Sequence, residues 1–331
     1  MMLFRRALLG SVFALAALAS VGPATAKELT ILTSVPGLNF PFFVHMLKAM
    51  KAEVSAQGAT PLEADGQNNA PKQTADVEAA LTKGVDGVVL DPIDVNAMAP
   101  AASEIIDAGI PVVTIDRRVT AAKGILAHVG ADNVKGGEAQ GHWVMDTFPK
   151  GATIVNLQGQ PGASPAIDRN KGLHDILDAH ADSYKFVAEQ TANFARDQGL
   201  SVTEALLASL ANPPDVIVAA NDDMALGALE AVRARNLQSK VKVIGFDALP
   251  DALASIRDGG LAGTVEQFPA EQSKKAVDIL MDFVKTKKKP ELEGRSAGSN
   301  PSHAPIGGTP SGSPRCRPSG SERTGWWPTA R

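Results

Sequence analysis

From Leu29 to about Lys289 the chain alternates short apolar runs with longer stretches whose apolar residues recur every three or four positions. The short runs predict strands at Leu29–Ser34, Pro61–Ala64, Gly87–Leu90, Val112–Ile115, Ala127–Gly130, Ala152–Leu157, Lys185–Ala188, Val216–Ala219, Val241–Phe246 and Leu261–Val265. Most of the intervening stretches have helical period and helical length. In Phe42–Gln57, the residues Phe43, Leu47, Met50 and Val54 share one face, and Gly58 supplies a C-terminal stop. A second predicted helix, Asp223–Arg235, puts Met224, Ala228, Ala231 and Val232 on one stripe, with Asp222 expected to cap it. Strand–helix–strand alternation of this kind builds parallel sheets covered by helices on both faces, an α/β fold. Ten strands are many for one such sheet, so two sheets are expected.

The two ends break the pattern. Arg5 and Arg6 precede an apolar run, Ala7–Ala19, and Ala24-Thr25-Ala26 offers small residues for cleavage. The run is short of the ~20 residues that span a bilayer. Residues 1–26 therefore read as a signal peptide, with a mature chain starting near Lys27 in a periplasmic, oxidising space. In Glu291–Arg331, 20 of 41 residues are Pro, Gly or Ser and no apolar period survives. This tail is expected to be disordered or aberrant, because it buries too little apolar surface to offset its ordering entropy. A single cysteine, Cys316, cannot form an internal disulfide, so apolar cores must hold the fold. Removing Arg5 and Arg6 with the leader takes the formal charge from −4 to −6, which gives no support to nucleic-acid binding.

In open α/β sheets, ligands bind beyond the carboxyl ends of the strands. The residues there are Asn39, Phe40, Phe42 and Phe43 after the first strand, Asp91 after the third, and Asp116-Arg117-Arg118 after the fourth. Arg169, Phe194, Asn221-Asp222, Asp247 and Gln267 follow later strands. Carboxylates, guanidinium groups, amides and flat rings together suit a neutral polyol. Each hydroxyl donates to a carboxylate and accepts from Arg or Asn, while the aliphatic ring face stacks on Phe. Each residue also has a structural reading: Asp91 as a turn residue before Pro92, Asp116-Arg117 as a surface ion pair, Asn221 as a loop residue, and one of Phe42 and Phe43 as core. Arg118 is expected to matter less than Arg117, which takes the inward position. Enzyme signatures are poor. No G-x-S-x-G elbow, P-loop, metal-spaced His cluster or Ser/His/Asp set stands out, so neither cofactor nor metal nor catalytic role is expected.

Several stretches resemble the periplasmic ribose-binding-protein family of transport proteins, of the type 1 periplasmic binding protein fold. They are Leu38-Asn39-Phe40-Pro41-Phe42-Phe43, Asp65-Gly66-Gln67-Asn68-Asn69, Ile115-Asp116-Arg117, Gly130-Ala131-Asp132-Asn133, Leu157-Gln158-Gly159, Asn221 to Ala228, and Val243-Ile244-Gly245-Phe246-Asp247. The resemblance covers about residues 29–289. It implies two Rossmann-like lobes joined by a multi-strand hinge: residues 27–130 with 268–290, and residues 131–267. It also implies a monomeric, non-enzymatic binder that delivers a monosaccharide to an ABC permease. A receptor-feeding or sensor-kinase role for a sugar, sugar alcohol or furanose-like signal is the alternative. The implied ligand set is Phe42, Phe43, Asp91, Asp116, Arg117, Arg169, Phe194, Asn221, Asp247 and Gln267. Two positions depart from the ribose pattern: Phe40 and Asp91 both stand where ribose binders carry Asn, which argues against ribose itself. Near Pro290 the resemblance stops, where the family continues into its last hinge crossing and edge strand.

Overall fold

The computed structural model describes residues 27–291, 305–308 and 314–315. The expected signal peptide lies outside the described residues. The first lobe contains β1 (Thr30–Val35), α1 (Pro41–Ala56), β2 (Thr60–Asp65), α2 (Ala70–Lys83), β3 (Gly87–Leu90), α3 (Ala99–Asp107), β4 (Val112–Ile115) and β5 (Ala127–Val129). The second contains α4 (Asn133–Thr147), β6 (Ala152–Gln158), α5 (Ser164–Leu177), β7 (Tyr184–Thr191), α6 (Arg196–Ser209), β8 (Val216–Ala219), α7 (Asp222–Ala234), β9 (Lys242–Ile244), α8 (Pro250–Arg257) and β10 (Gly263–Val265). The chain then returns to the first lobe as α9 (Pro269–Thr286), which packs on α1 and on β3, β4 and β5.

The first sheet runs β2-β1-β3-β4-β5 and is wholly parallel. The parallel part of the second runs β7-β6-β8-β9-β10, which is the same order counted within its own lobe. Each lobe is thus a doubly wound unit whose strand order reverses once, between β1 and β3 or between β6 and β8. Those two reversals open a crevice at the carboxyl ends of the strands. The central strands β3, β4 and β8 are buried along their whole length, which is why they read as unbroken apolar runs.

Six residues of the tail expected to be disordered form strands. Pro305–Gly308 (β11) pairs antiparallel with β10, and Pro314–Arg315 (β12) pairs with β11. The open edge of the second sheet offers unpaired backbone groups, and a segment needs no apolar period to add main-chain hydrogen bonds there. The rest of the tail lies outside the described residues.

Helix pairs in the second lobe approach closely through glycine. A Cβ on Gly137 would lie 2.1 Å from the Arg169 carbonyl oxygen, and one on Gly172 would lie 1.9 Å from that of Val134, so α4 and α5 touch backbone to backbone. Gly199 and Gly227 do the same for α6 and α7, at 2.5 Å from Met224 O and 2.1 Å from Arg196 O. Two buried glutamines fix the strand ends. Gln73 donates to Asp91 O and Ser34 Oγ and accepts from Ile93 N. Gln140 donates to Ala219 O and Gly245 O.

Candidate functional site

Between the lobes lies a cavity of about 350 Å³, lined by Phe40, Phe42, Phe43, Asp116, Arg117, Pro165, Arg169, Phe194, Asn221, Asp223, Asp247 and Gln267. Ten of the residues singled out from the sequence are therefore brought together. Asp91 is not on the cavity surface. It is fully buried, and neither carboxylate oxygen has a hydrogen-bond partner among the described residues. Asn39 lines a wider opening of about 810 Å³ that adjoins the cavity at Phe40, Phe194 and Asp223.

The aromatic wall comes from the start of α1. Phe40 precedes it in extended conformation, Pro41 sets its first turn, and Phe42 and Phe43 enter side by side. Both line the cavity, so neither is core alone. Phe43 meets Phe40 and Phe42 edge-to-face, with centroids 5.8 and 5.5 Å apart. Arg117 lies over the Phe43 ring at 5.1 Å and the Phe194 ring at 5.7 Å.

Each wall presents one buried arginine. Arg117 Nη1 donates to Ile93 O at 2.9 Å and to Gln160 Oε1 at 3.3 Å, while its Nε has no partner among the described residues. Its Nε lies 3.8 Å from Asp116 Oδ2, and Asp116 Oδ1 is likewise unpartnered. Both residues are buried, so the alternative reading of the pair as a surface ion pair does not hold: it is a buried one. Arg169 is more fully engaged. Its Nε donates to Asn133 Oδ1 (2.8 Å), Nη1 to Ala220 O (2.7 Å) and Nη2 to Gln267 Oε1 (3.2 Å). Nη1 also lies 3.5 Å from Asp247 Oδ1, and the guanidinium sits 3.7 Å from the Phe246 centroid. Burial pulls both guanidinium pKa values down, but arginine stays charged at any physiological pH.

Burial pushes Asp91 and Asp247 well above the usual carboxylate range and raises Asp116 as well. For Asp91, the neighbouring Asp116 charge adds to the rise and Arg117 opposes it; for Asp247 the opposing charge is Arg169. Backbone strain gathers at the same points. Asp116, Phe194 and Asp247 have φ of 54°, 61° and 115°, conformations a non-glycine residue rarely adopts.

Asn221, rather than Asp222, caps α7. Its Oδ1 accepts from Met224 N at 3.0 Å, and its Nδ2 donates to Phe194 O at 3.1 Å. Asp222 turns into the core of its lobe, accepting from Thr264 Oγ1 and Leu249 N at 2.7 and 2.8 Å. The next carboxylate, Asp223, faces the cavity and accepts from Arg196 Nε at 3.3 Å. Asp223 and Pro165 are lining residues that sequence reasoning missed. The Asp222-Asp223 pair follows a strand end, and helical geometry sends adjacent side chains apart, so one of the two had to face the cleft.

Among the described residues no group of acidic, His or Cys side chains could hold a metal ion, and no helix is long and apolar enough to cross a membrane. The cavity lining combines carboxylate acceptors, two buried guanidinium groups and Phe rings.

Residues 31–289 match the family described as periplasmic binding protein domain. The chain is 41% identical to the ribose import binding protein of Bacillus subtilis (strain 168) over 264 residues, covering 79% of this chain and 84% of that protein. It is 36% identical to the ribose import binding protein of Escherichia coli (strain K12), over 85% of this chain and 93% of that one. Among solved structures, the Caulobacter myo-inositol binding protein bound to myo-inositol is 42% identical and superposes with a TM-score of 0.77, over 84% of this chain and 93% of that chain.

Proposed function

Because the chain belongs to the periplasmic binding protein family, alongside sugar-binding components of ABC importers, we propose that its cleft binds one neutral cyclic polyol and hands it unchanged to an ABC permease. The observation that carries this reading is the lining of the cavity between the lobes. Asp116, Asp223 and Asp247 share with Arg117 and Arg169 the lining of a space walled by Phe rings. Three carboxylates against two guanidinium groups make the lining richer in acceptors than a ring with an internal oxygen would use. A ring with a hydroxyl at every vertex supplies a donor at each position. Myo-inositol, the ligand of the Caulobacter relative, therefore ranks ahead of D-ribose, the ligand class of the import proteins.

In this reading residues 1–26 direct export, the protein works as a monomer in the periplasm, and it performs no chemistry on its ligand. The lining residues named above make the contacts, with Asp91 acting from behind Asp116 and Arg117. Calorimetry with myo-inositol and D-ribose tests the ranking. One site per chain and tighter binding of myo-inositol are expected, with the ligand recovered intact by NMR. Tighter binding of D-ribose overturns the ranking. Conversion of the ligand, or no binding across a panel of monosaccharides and cyclitols, overturns the function.

A further inference from the structure

Arg118 and Asp168 belong to opposite lobes and line no part of the cavity. They nevertheless meet. Arg118 Nη2 donates to Asp168 Oδ1 at 2.8 Å, and Nη1 donates to Asp168 Oδ2, which is the two-pronged geometry a guanidinium makes with a carboxylate. The Arg118 backbone N–H adds a bond to Ser164 Oγ at 3.0 Å. Three further bonds join the lobes nearby: Val95 N to Gly162 O at 3.0 Å, Gln160 Nε2 to Asn68 Oδ1 at 3.1 Å, and Arg117 Nη1 to Gln160 Oε1 at 3.3 Å. Asp168 is largely shielded, with its side chain 14% exposed, whereas that of Arg118 is 39% exposed.

We propose that Arg118 and Asp168 form a latch that sets how long the protein holds its ligand without touching it; this rests on the reading of the cleft as a polyol site. Each latch residue adjoins a cavity arginine, Arg117 on one wall and Arg169 on the other. The pair can therefore form only when both walls have closed over the cavity. Apparent affinity is the intrinsic affinity scaled by the population of the closed form, so a contact made only on closure tightens binding from outside the site. Such a contact slows release and leaves the encounter with the open form unaltered. Because Arg118 is partly in water, the latch weakens as salt rises.

Stopped-flow and calorimetry with myo-inositol and D-ribose test this on Arg118→Ala, Asp168→Ala, the double variant, and the reversed pair Arg118→Asp/Asp168→Arg. Each single variant should release ligand roughly 5- to 30-fold faster, with the association rate within about twofold of wild type. The double variant should lose no more than a single one, and the reversed pair should recover most of the loss, which a merely structural role would not produce. Unchanged release rates, or losses that multiply in the double variant, overturn the latch. A wild type that binds neither polyol overturns the ligand reading alone. The latch is then read from nitroxide distances between Ala79→Cys and Lys171→Cys in a Cys316→Ser background. A closed fraction lost in the single variants and restored by reversal supports it, and identical distributions in all proteins overturn it.

Discussion

Replacing Arg169 by methionine keeps much of the aliphatic bulk and removes the guanidinium from the second lobe's wall of the cavity. The change deletes hydrogen bonds to Asn133 Oδ1, Ala220 O and Gln267 Oε1, and leaves Asp247 without the cation 3.5 Å away. Breaking one side of a buried ion pair costs about 3–5 kcal/mol, because the remaining charge stays desolvated. Asp247 has an escape: it can take up a proton. Burial already holds its pKa well above the usual range against the pull of Arg169, and without Arg169 it rises further. A carboxyl whose native pKa exceeds its unfolded one keeps its proton longer in the native state. Stability therefore falls as pH rises through the interval between the two values. The deficit of Arg169→Met should be smallest near pH ~4 and reach its full size only above the raised Asp247 pKa. Urea unfolding at about pH 4.5 and about pH 8 reads this directly. Adding Asp247→Asn should restore about 1–3 kcal/mol at the higher pH, since the amide carries no charge to strand. A deficit independent of pH, together with additive losses in the double variant, would refute the account. Every contact invoked lies within the second lobe and its junction with the hinge, so the outcome does not depend on which ligand the cleft takes.

Other predictions follow from the same geometry. Arg117→Ala should weaken polyol binding by about 30- to 1000-fold, or about 2–4 kcal/mol, with unchanged far-UV circular dichroism; near-native affinity by calorimetry would place the ligand elsewhere. Gly172→Ala would drive a methyl to 1.9 Å from Val134 O, and should lower the urea-unfolding free energy by about 3 kcal/mol or more. His128, part-buried and hydrogen-bonded through Nδ1 to Thr114 Oγ1, has its pKa pushed by burial from 6.5 down to about 4. Its neutral ring favours the fold above pH 6.5, and that stability is lost as pH falls toward about 4. His128→Gln should flatten the pH profile of urea unfolding by about 2 kcal/mol.

Strands buried on both faces were fully legible, because burial on both sides writes an unbroken apolar run. Gly87–Leu90, Val112–Ile115 and Val216–Ala219 appear with the bounds the sequence predicts. The edge strand β7 extends from Tyr184 to Thr191 rather than Lys185 to Ala188, because most of its residues face water and blur the signal. Position at a strand end also marked most of the cavity lining. It could not tell which of two neighbouring side chains turns inward, since that depends on partners distant in sequence. Asp222 is drawn inward by Thr264, which leaves Asp223 to the cleft. Arg118 was set aside as the outward neighbour of Arg117, and its partner Asp168 lies 50 residues away on the other lobe. The tail strands were illegible because Pro305-Ile306-Gly307-Gly308 takes its place from the edge it joins.

The glycine crossings of α4 on α5 and of α6 on α7 carry a thermodynamic consequence. Backbones in direct contact leave no soft side-chain layer between the two helices of each pair. Any opening of one lobe against the other would then fall on the few residues linking them, Gly130–Asp132 and Gln267–Phe268 among those described. A lobe that moves as one rigid piece orders little of itself when it shuts. The entropic cost of capture would then fall mainly on the ligand and on a handful of linking torsions.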